Sequence, residues 1–190
     1  MIAYHGTTMQ GLSVLKPFAN PDSNLDYACV YLTTYKPLAA LYIWNKPYKW
    51  LNYGFADDGL PRYTESFPNA LAEFYGGVSG CIYTCEGEFE YDANANIKVA
   101  VISKQDVQVK EADIVPDCYA RIIEYEKQGL IYIRRFESLT DAKRESERRM
   151  ILSYIKQHNL LYEVNPKAPF VKEKFPDIWR EAQKNESLRE

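Results

Sequence analysis

Short apolar runs rich in β-branched and aromatic residues, separated by turn residues, fill the first two thirds of the chain. Longer stripes at helical spacing fill the rest. IAYH, residues 2–5, reads as a strand that Gly6 ends. GLSVLKPF (11–18) reads as a short helical or irregular connection and NPDSNLD (20–26) as a loop. CVYLTT (29–34) is the next strand. A helix follows it, with Thr34 placed to cap, Pro37 in the first turn, LAALYIW as its body, and Asn45 and Pro47 as its stop. KWLNYGF (49–55) and RYTESF (62–67) flank an Asp-Gly turn and predict a hairpin. PNALAEFYGG (68–77) predicts a short helix bounded by Pro and Gly. Strands are expected over 80–91, 97–103 and 106–115, a helix over 116–129 ending at Gly129, and a last strand over 130–136.

Past residue 136 the pattern changes. Residues 138–162 predict one long helix, with Ser138 and Asp141 as a capping box and Leu139, Ala142, Ser146, Met150, Tyr154 and Ile155 along one stripe. Residues 163–174 form a Pro-interrupted link, and PDIWREAQKN predicts a closing helix with Ile178, Trp179 and Ala182 on one side. Strands and helices do not alternate strictly, which argues for an α+β fold rather than a doubly wound sheet. The expected organisation is a domain over 1–136 and a C-terminal helical extension over 137–190 packed on it.

Composition narrows the function classes. The 190 residues are 46% apolar and 26% charged, enough for a proper core. A net charge of −3 gives no overall attraction for nucleic acid. The 16 tyrosines suit half-buried sheets and clefts that stack rings. Cys29, Cys81, Cys85 and Cys118 form no C-x-x-C pair, and with only two histidines no metal site is expected. The chain opens without a basic start or apolar run, and no stretch approaches the roughly 20 apolar residues of a membrane span. A cytoplasmic protein with reduced thiols and no membrane partner is expected. Neither G-x-G-x-x-G nor G-x-x-x-x-G-K-[ST] occurs. Glu86, Glu88 and Glu90 alternate on one expected strand and read as an exposed edge face. Glu124 and Glu126 read as solvated. His158 lies near a helix C-terminus, where it suits the dipole.

Three features remain, and their order carries chemistry. YHGT places His5 and Gly6 at an early strand end. VYLTT places Tyr31 on the next strand, with Tyr42 eleven residues on, in KPLAALY. SKQDVQV starts polar and turns apolar late in the strand-rich region. Over roughly residues 2–120 this pattern resembles the ADP-ribosyltransferase fold, in the branch that includes poly-ADP-ribose polymerases and diphtheria toxin. The hydroxyl residue that such enzymes place three before the second tyrosine is Ala39 here, and the usual late-strand glutamate is replaced by Gln105 or Asp106. Gln105 would share a face with Val107 and Val109, whereas Asp106 would point the other way unless the strand bulges.

The resemblance implies a split antiparallel β-sheet core with short helices, and NAD as a substrate whose nicotinamide–ribose bond is cleaved. It implies that His5 binds a ribose hydroxyl and that the Gly6 backbone grips the carboxamide, as close backbone approach to glycine allows. Tyr31 and Tyr42 would sandwich the nicotinamide ring, with Thr7 and Thr33 among the cofactor contacts. Gln105 or Asp106 would orient the nucleophile, and only Asp106 could act as a base. The acceptor of ADP-ribose, whether protein, nucleic acid or water, is not written in the residues. Two other readings stand beside this one: a catalytically silent nucleotide-binding or protein-interaction domain of the same fold, and a small α+β interaction module.

Overall fold

The computed structural model describes residues 1–19, 27–48, 50–91, 99–162 and 165–187. The expectations for 20–26, for Lys49, for the start of the 97–103 strand, for 163–164 and for the tail lie outside the described residues. The strands are β1 (Ile2–Thr7), β2 (Val14–Leu15), β3 (Val30–Thr33), β4 (Tyr53–Phe55), β5 (Pro61–Thr64), β6 (Gly80–Glu86), β7 (Glu90–Tyr91), β8 (Ala100–Ser103), β9 (Val107–Val115) and β10 (Tyr132–Arg134). The helices are α1 (Lys36–Ala40), α2 (Ala70–Tyr75), α3 (Cys118–Lys127), α4 (Asp141–Gln157), α5 (Lys167–Lys174) and α6 (Pro176–Ser187). The architecture is mixed α+β with a mostly antiparallel sheet.

The chain forms two compact units. The first comprises Met1–Lys46, Tyr53–Tyr63 and Leu71–Ile133; the second comprises Pro47–Asn52, Thr64–Ala70 and Arg134–Glu190. Two inner segments, 47–52 and 64–70, therefore cluster with the C-terminal helices.

In the first unit a seven-stranded sheet runs in the order β2-β9-β6-β1-β3-β8-β7. The link from Ser103 to Val107 forces this sheet to curl. Four residue steps reach at most about 14 Å. In a flat sheet β8 and β9 would stand four strand spacings apart, about 19 Å. The core agrees, since Ala3, Tyr83 and Val107 share one buried cluster with Val30, Leu32 and Val101 from the other half of the sheet. A three-stranded sheet, β10-β5-β4, completes the unit. Its β4–β5 turn is the expected Asp-Gly turn, closed by the Ala56 N–H donating to the Leu60 carbonyl and the Gly59 N–H donating to the Ala56 carbonyl, with Gly59 at φ +82°.

Several local expectations are corrected. The single strand over 80–91 is broken at Gly87: β6 ends at Glu86, and Glu90–Tyr91 pairs with β8 on the far side of the sheet. Glu86, Glu88 and Glu90 thus do not line one strand. The helix after β3 is only Lys36–Ala40 and starts from Tyr35, because the Thr33 hydroxyl accepts from the Tyr35 N–H. Its C-terminal side ends early, where the Leu41 carbonyl accepts from the Tyr75 hydroxyl at 2.8 Å. Asp117 caps α3 by accepting from the Ala120 N–H, and Gly129 follows α3 at φ +70°.

In the second unit Thr140, not Ser138, caps α4, accepting from the Lys143 N–H; the Ser138 hydroxyl donates to the Arg135 carbonyl in the preceding turn. The buried face of α4 holds Ile151 and Ile155, while Met150 is 46% exposed. The 163–174 link contains α5. Ile178, Trp179 and Ala182 of α6 are buried as expected. Trp50 packs against Tyr154, Phe170 and Phe175, giving this unit an aromatic core.

Candidate functional site

Strand β1 supplies the first group. Ala3 is fully buried and points into the core between the sheet halves, so strand alternation turns His5 to that same face, opposite Tyr83 of β6. The His5 Nδ1 lies 2.7 Å from the Tyr31 carbonyl oxygen. A carbonyl only accepts, so Nδ1 carries the proton and Nε2 of the neutral ring is an acceptor. Burial lowers the His5 pKa, and the bond to Tyr31 only partly opposes it. The imidazole is therefore neutral at pH 7.

That bond sits where the sheet opens. Among the described residues β1 and β3 share one registered pair, Tyr4↔Thr33, and the register does not continue past it to His5–Thr7. On its other side β1 stays paired with β6 from Ile2 to Thr7. Backbone groups of successive strand residues point alternately to either neighbour, so at least one of residues 5–7 presents its N–H and C=O to the open edge. The Tyr31 carbonyl accepts from the imidazole there.

Gly6 is explained by packing. A Cβ at this position would collide with the Ala39 carbonyl oxygen and crowd Ile43. The same Ala39 carbonyl accepts from the Tyr42 N–H at 3.1 Å. Glycine at position 6 thus sets the distance between β1 and the end of α1 from which Tyr42 departs. Ala39 itself is fully buried, so no hydroxyl is presented at that point.

Tyr31 lies in register with Ile102 of β8, and its ring packs on the Cys29–Ile102 cluster with Phe18 edge-on at 6.4 Å. By register with Tyr4↔Thr33, the Tyr31 ring projects from the sheet face of Gly6 and not from that of His5. The seam therefore joins His5 and Tyr31 through a backbone carbonyl, while their rings leave opposite faces. The Tyr42 hydroxyl stands 2.7 Å from that of Tyr53, with the rings edge-on at 6.3 Å. Burial first, and then the neighbouring Tyr53, push the Tyr42 phenol well above its ordinary pKa. The Thr7 hydroxyl accepts from the Met9 N–H at 3.2 Å, and the buried Thr33 hydroxyl is engaged with Tyr35.

Gln105 and Asp106 are placed differently from the expectation. β9 begins at Val107, so neither residue lies in the strand and the face-sharing of Gln105 with Val107 and Val109 does not extend to it. Both are exposed in the β8–β9 turn, where the Ser103 hydroxyl donates to the Gln105 carbonyl and accepts from the Gln105 N–H. The strand beside β3 is β8, whereas β6 and β1 stand between β9 and β3. A carboxylate that register does put in line with Gly6 is Asp113, across Ile82. It is occupied: Arg121 binds it at 2.8 and 3.2 Å and Lys36 at 2.9 Å. Burial alone would raise its pKa, but the two cations outweigh burial and hold it low.

Tyr53 and the β8 neighbourhood were not singled out by sequence. The Asp-Gly hairpin signal marks the strand that carries Tyr53, but nothing local pairs that hydroxyl with one eleven residues earlier. Among the described residues, no group of three or more His, Cys, Asp or Glu side chains could hold a metal ion, and no helix is long and apolar enough to cross a membrane. Compared with models of known families, with curated proteins and with solved structures, the chain shows no significant match.

Proposed function

We propose that the first unit binds NAD at the β1–β3 seam and cleaves its nicotinamide–ribose bond, with ADP-ribose passing to an acceptor. The observation that carries this reading is the opening of the sheet at His5, with a neutral imidazole fixed in the gap by the Tyr31 carbonyl. His5 Nε2 accepts a hydrogen bond from a ribose hydroxyl. The unpaired edge of β1 at His5–Thr7 offers backbone amide groups to the carboxamide. Tyr31 and Tyr42 supply ring surfaces for nicotinamide, on the sheet face that Gly6 shares with Tyr31.

Nicotinamide leaves with the electron pair of the C1′–N bond and becomes neutral. Positive charge develops at C1′ as that bond breaks and is shared with the ribose ring oxygen. An oxygen or nitrogen of the acceptor attacks C1′ and its proton passes to solvent. No base is assigned to Gln105 or Asp106, which are exposed in a turn. A slow reaction is therefore expected.

Release of free nicotinamide from NAD, followed chromatographically, tests the reading. The wild type should release it above a protein-free control, and His5→Ala should reduce NAD binding about tenfold, the effect of one well-placed hydrogen bond. The silent-domain reading is favoured by the same turn placement of residues 105 and 106, and it predicts NAD-induced thermal stabilisation without nicotinamide release. Neither release nor stabilisation would overturn both.

A further inference from the structure

We propose that Tyr53 is a positioning residue that fixes the Tyr42 ring as a stacking wall for the nicotinamide ring, through the pairing of their two hydroxyls. This rests on the function proposed above.

Tyr42 follows the last turn of α1, a five-residue helix, and its backbone is tied to Ala39. That tie fixes the backbone and leaves the ring two rotatable side-chain torsions. A stacking ring has to be held in one plane before the ligand arrives, or its ordering weakens binding. Tyr53 supplies the hold from a separate element. It sits in β4, which Gly54↔Arg62 and Phe55↔Pro61 pair to β5, so its own backbone is fixed. Phe55 meets the Tyr53 ring edge-on at 6.4 Å, supporting it from the side. The 2.7 Å hydroxyl pair then transfers that rigidity to Tyr42. The two rings stand nearly perpendicular, at 77°, so they meet edge-on rather than stacked face to face. Both phenols are raised by burial, so neither ionises near pH 7 and the pair stays neutral.

The test measures NAD and ADP-ribose affinity by calorimetry on the full chain, for wild type, Tyr53→Phe, Tyr42→Phe and the double variant. Phenylalanine keeps the ring packing and removes only the hydroxyl. Tyr53→Phe should weaken NAD binding about fivefold, the effect of losing one neutral hydrogen bond. It should leave ADP-ribose, which lacks the nicotinamide ring, within about twofold. Tyr42→Phe should also weaken NAD binding, and the double variant should lose less than the sum of the two singles, because the hydroxyl pair is lost in each. Equal loss for NAD and ADP-ribose would mean a merely structural role and would overturn the assignment. So would unchanged NAD affinity in Tyr53→Phe beside a wild type that binds NAD. A wild type that binds neither ligand removes the proposed function, and this assignment with it.

Discussion

Strand β1 has two edges, and they are built for different purposes. Toward β6 it is paired at six successive positions, from Ile2↔Glu86 to Thr7↔Cys81. Toward β3 it has one pair, Tyr4↔Thr33. β6 is a seven-residue strand with Gly80–Tyr83 and Cys85 buried, long enough to cover all of β1. β3 is four residues long, and the chain turns into α1 from Tyr35. The imidazole of His5 then takes the Tyr31 carbonyl in the gap. One edge of the strand is scaffold, and at the other a side chain takes a backbone carbonyl of β3 where the strand pairing does not continue.

The largest effect should come from closing the space on which this difference rests. Gly6→Val would drive a branched side chain into the Ala39 carbonyl and against Ile43. Backbone cannot yield as a flexible side chain does, so a loss of about 3 kcal/mol is expected in urea denaturation. Gly54→Ala on the β4 edge meets nothing within 4 Å and should change stability by less than about 0.5 kcal/mol. Equal small effects at both positions would show that α1 does not bear on β1 as described.

The scaffold edge was legible in the sequence and the open edge was not. IAYH and CVYLTT announce strands by their own composition, and Gly59, Gly77 and Gly129 take the positive φ values that turns and helix ends require. The neighbours of a strand are a non-local matter. Nothing in SKQDVQV says that β8, rather than β9, lies beside β3. Residues 105 and 106, expected at the head of a strand, lie instead in the turn that follows β8. Similar limits explain α1 and α4. Leu41 and Tyr42 suit a helix, but the Tyr75 hydroxyl donates to the Leu41 carbonyl from α2, 34 residues away. Ser138 and Thr140 are both competent caps, and only the Arg135 turn decides between them.

A smaller effect separates His5 from an ordinary surface histidine. Its pKa is lowered in the folded chain, so between that value and the unfolded value near 6.5 the unfolded chain binds more protons. The stability tied to the neutral imidazole is therefore complete above about pH 6.5 and is lost as pH falls. The slope for one group cannot exceed about 1.4 kcal/mol per pH unit. Glu147, raised by burial although Asn52 donates to it at 2.7 Å, works in the opposite sense and loses its contribution as pH rises. The difference between wild type and His5→Gln isolates the imidazole. Thermal melts from pH 7.5 to 5 should show the wild type losing stability faster than the variant. Parallel curves would place His5 in contact with water and not in the seam.

The smallest effects are expected at the β8–β9 turn. Gln105→Ala and Asp106→Ala each remove an exposed side chain that lies in no strand, and the Gln105 bonds to Ser103 run through its backbone and survive the change. Each variant should stay within about 0.5 kcal/mol of wild type in urea denaturation. Each should also keep NAD affinity within about twofold, since both side chains are exposed in a turn. Asp106 is the more informative of the two, because a carboxylate in reach of C1′ could steer the acceptor and its loss would slow turnover without touching stability. A sharp fall in nicotinamide release for Asp106→Ala, with an unchanged melting temperature, would bring the turn to the open edge of β1. The curl of the sheet, which already draws β8 and β9 together over the Ser103–Val107 link, would then have to close further than the register of β1 and β3 records.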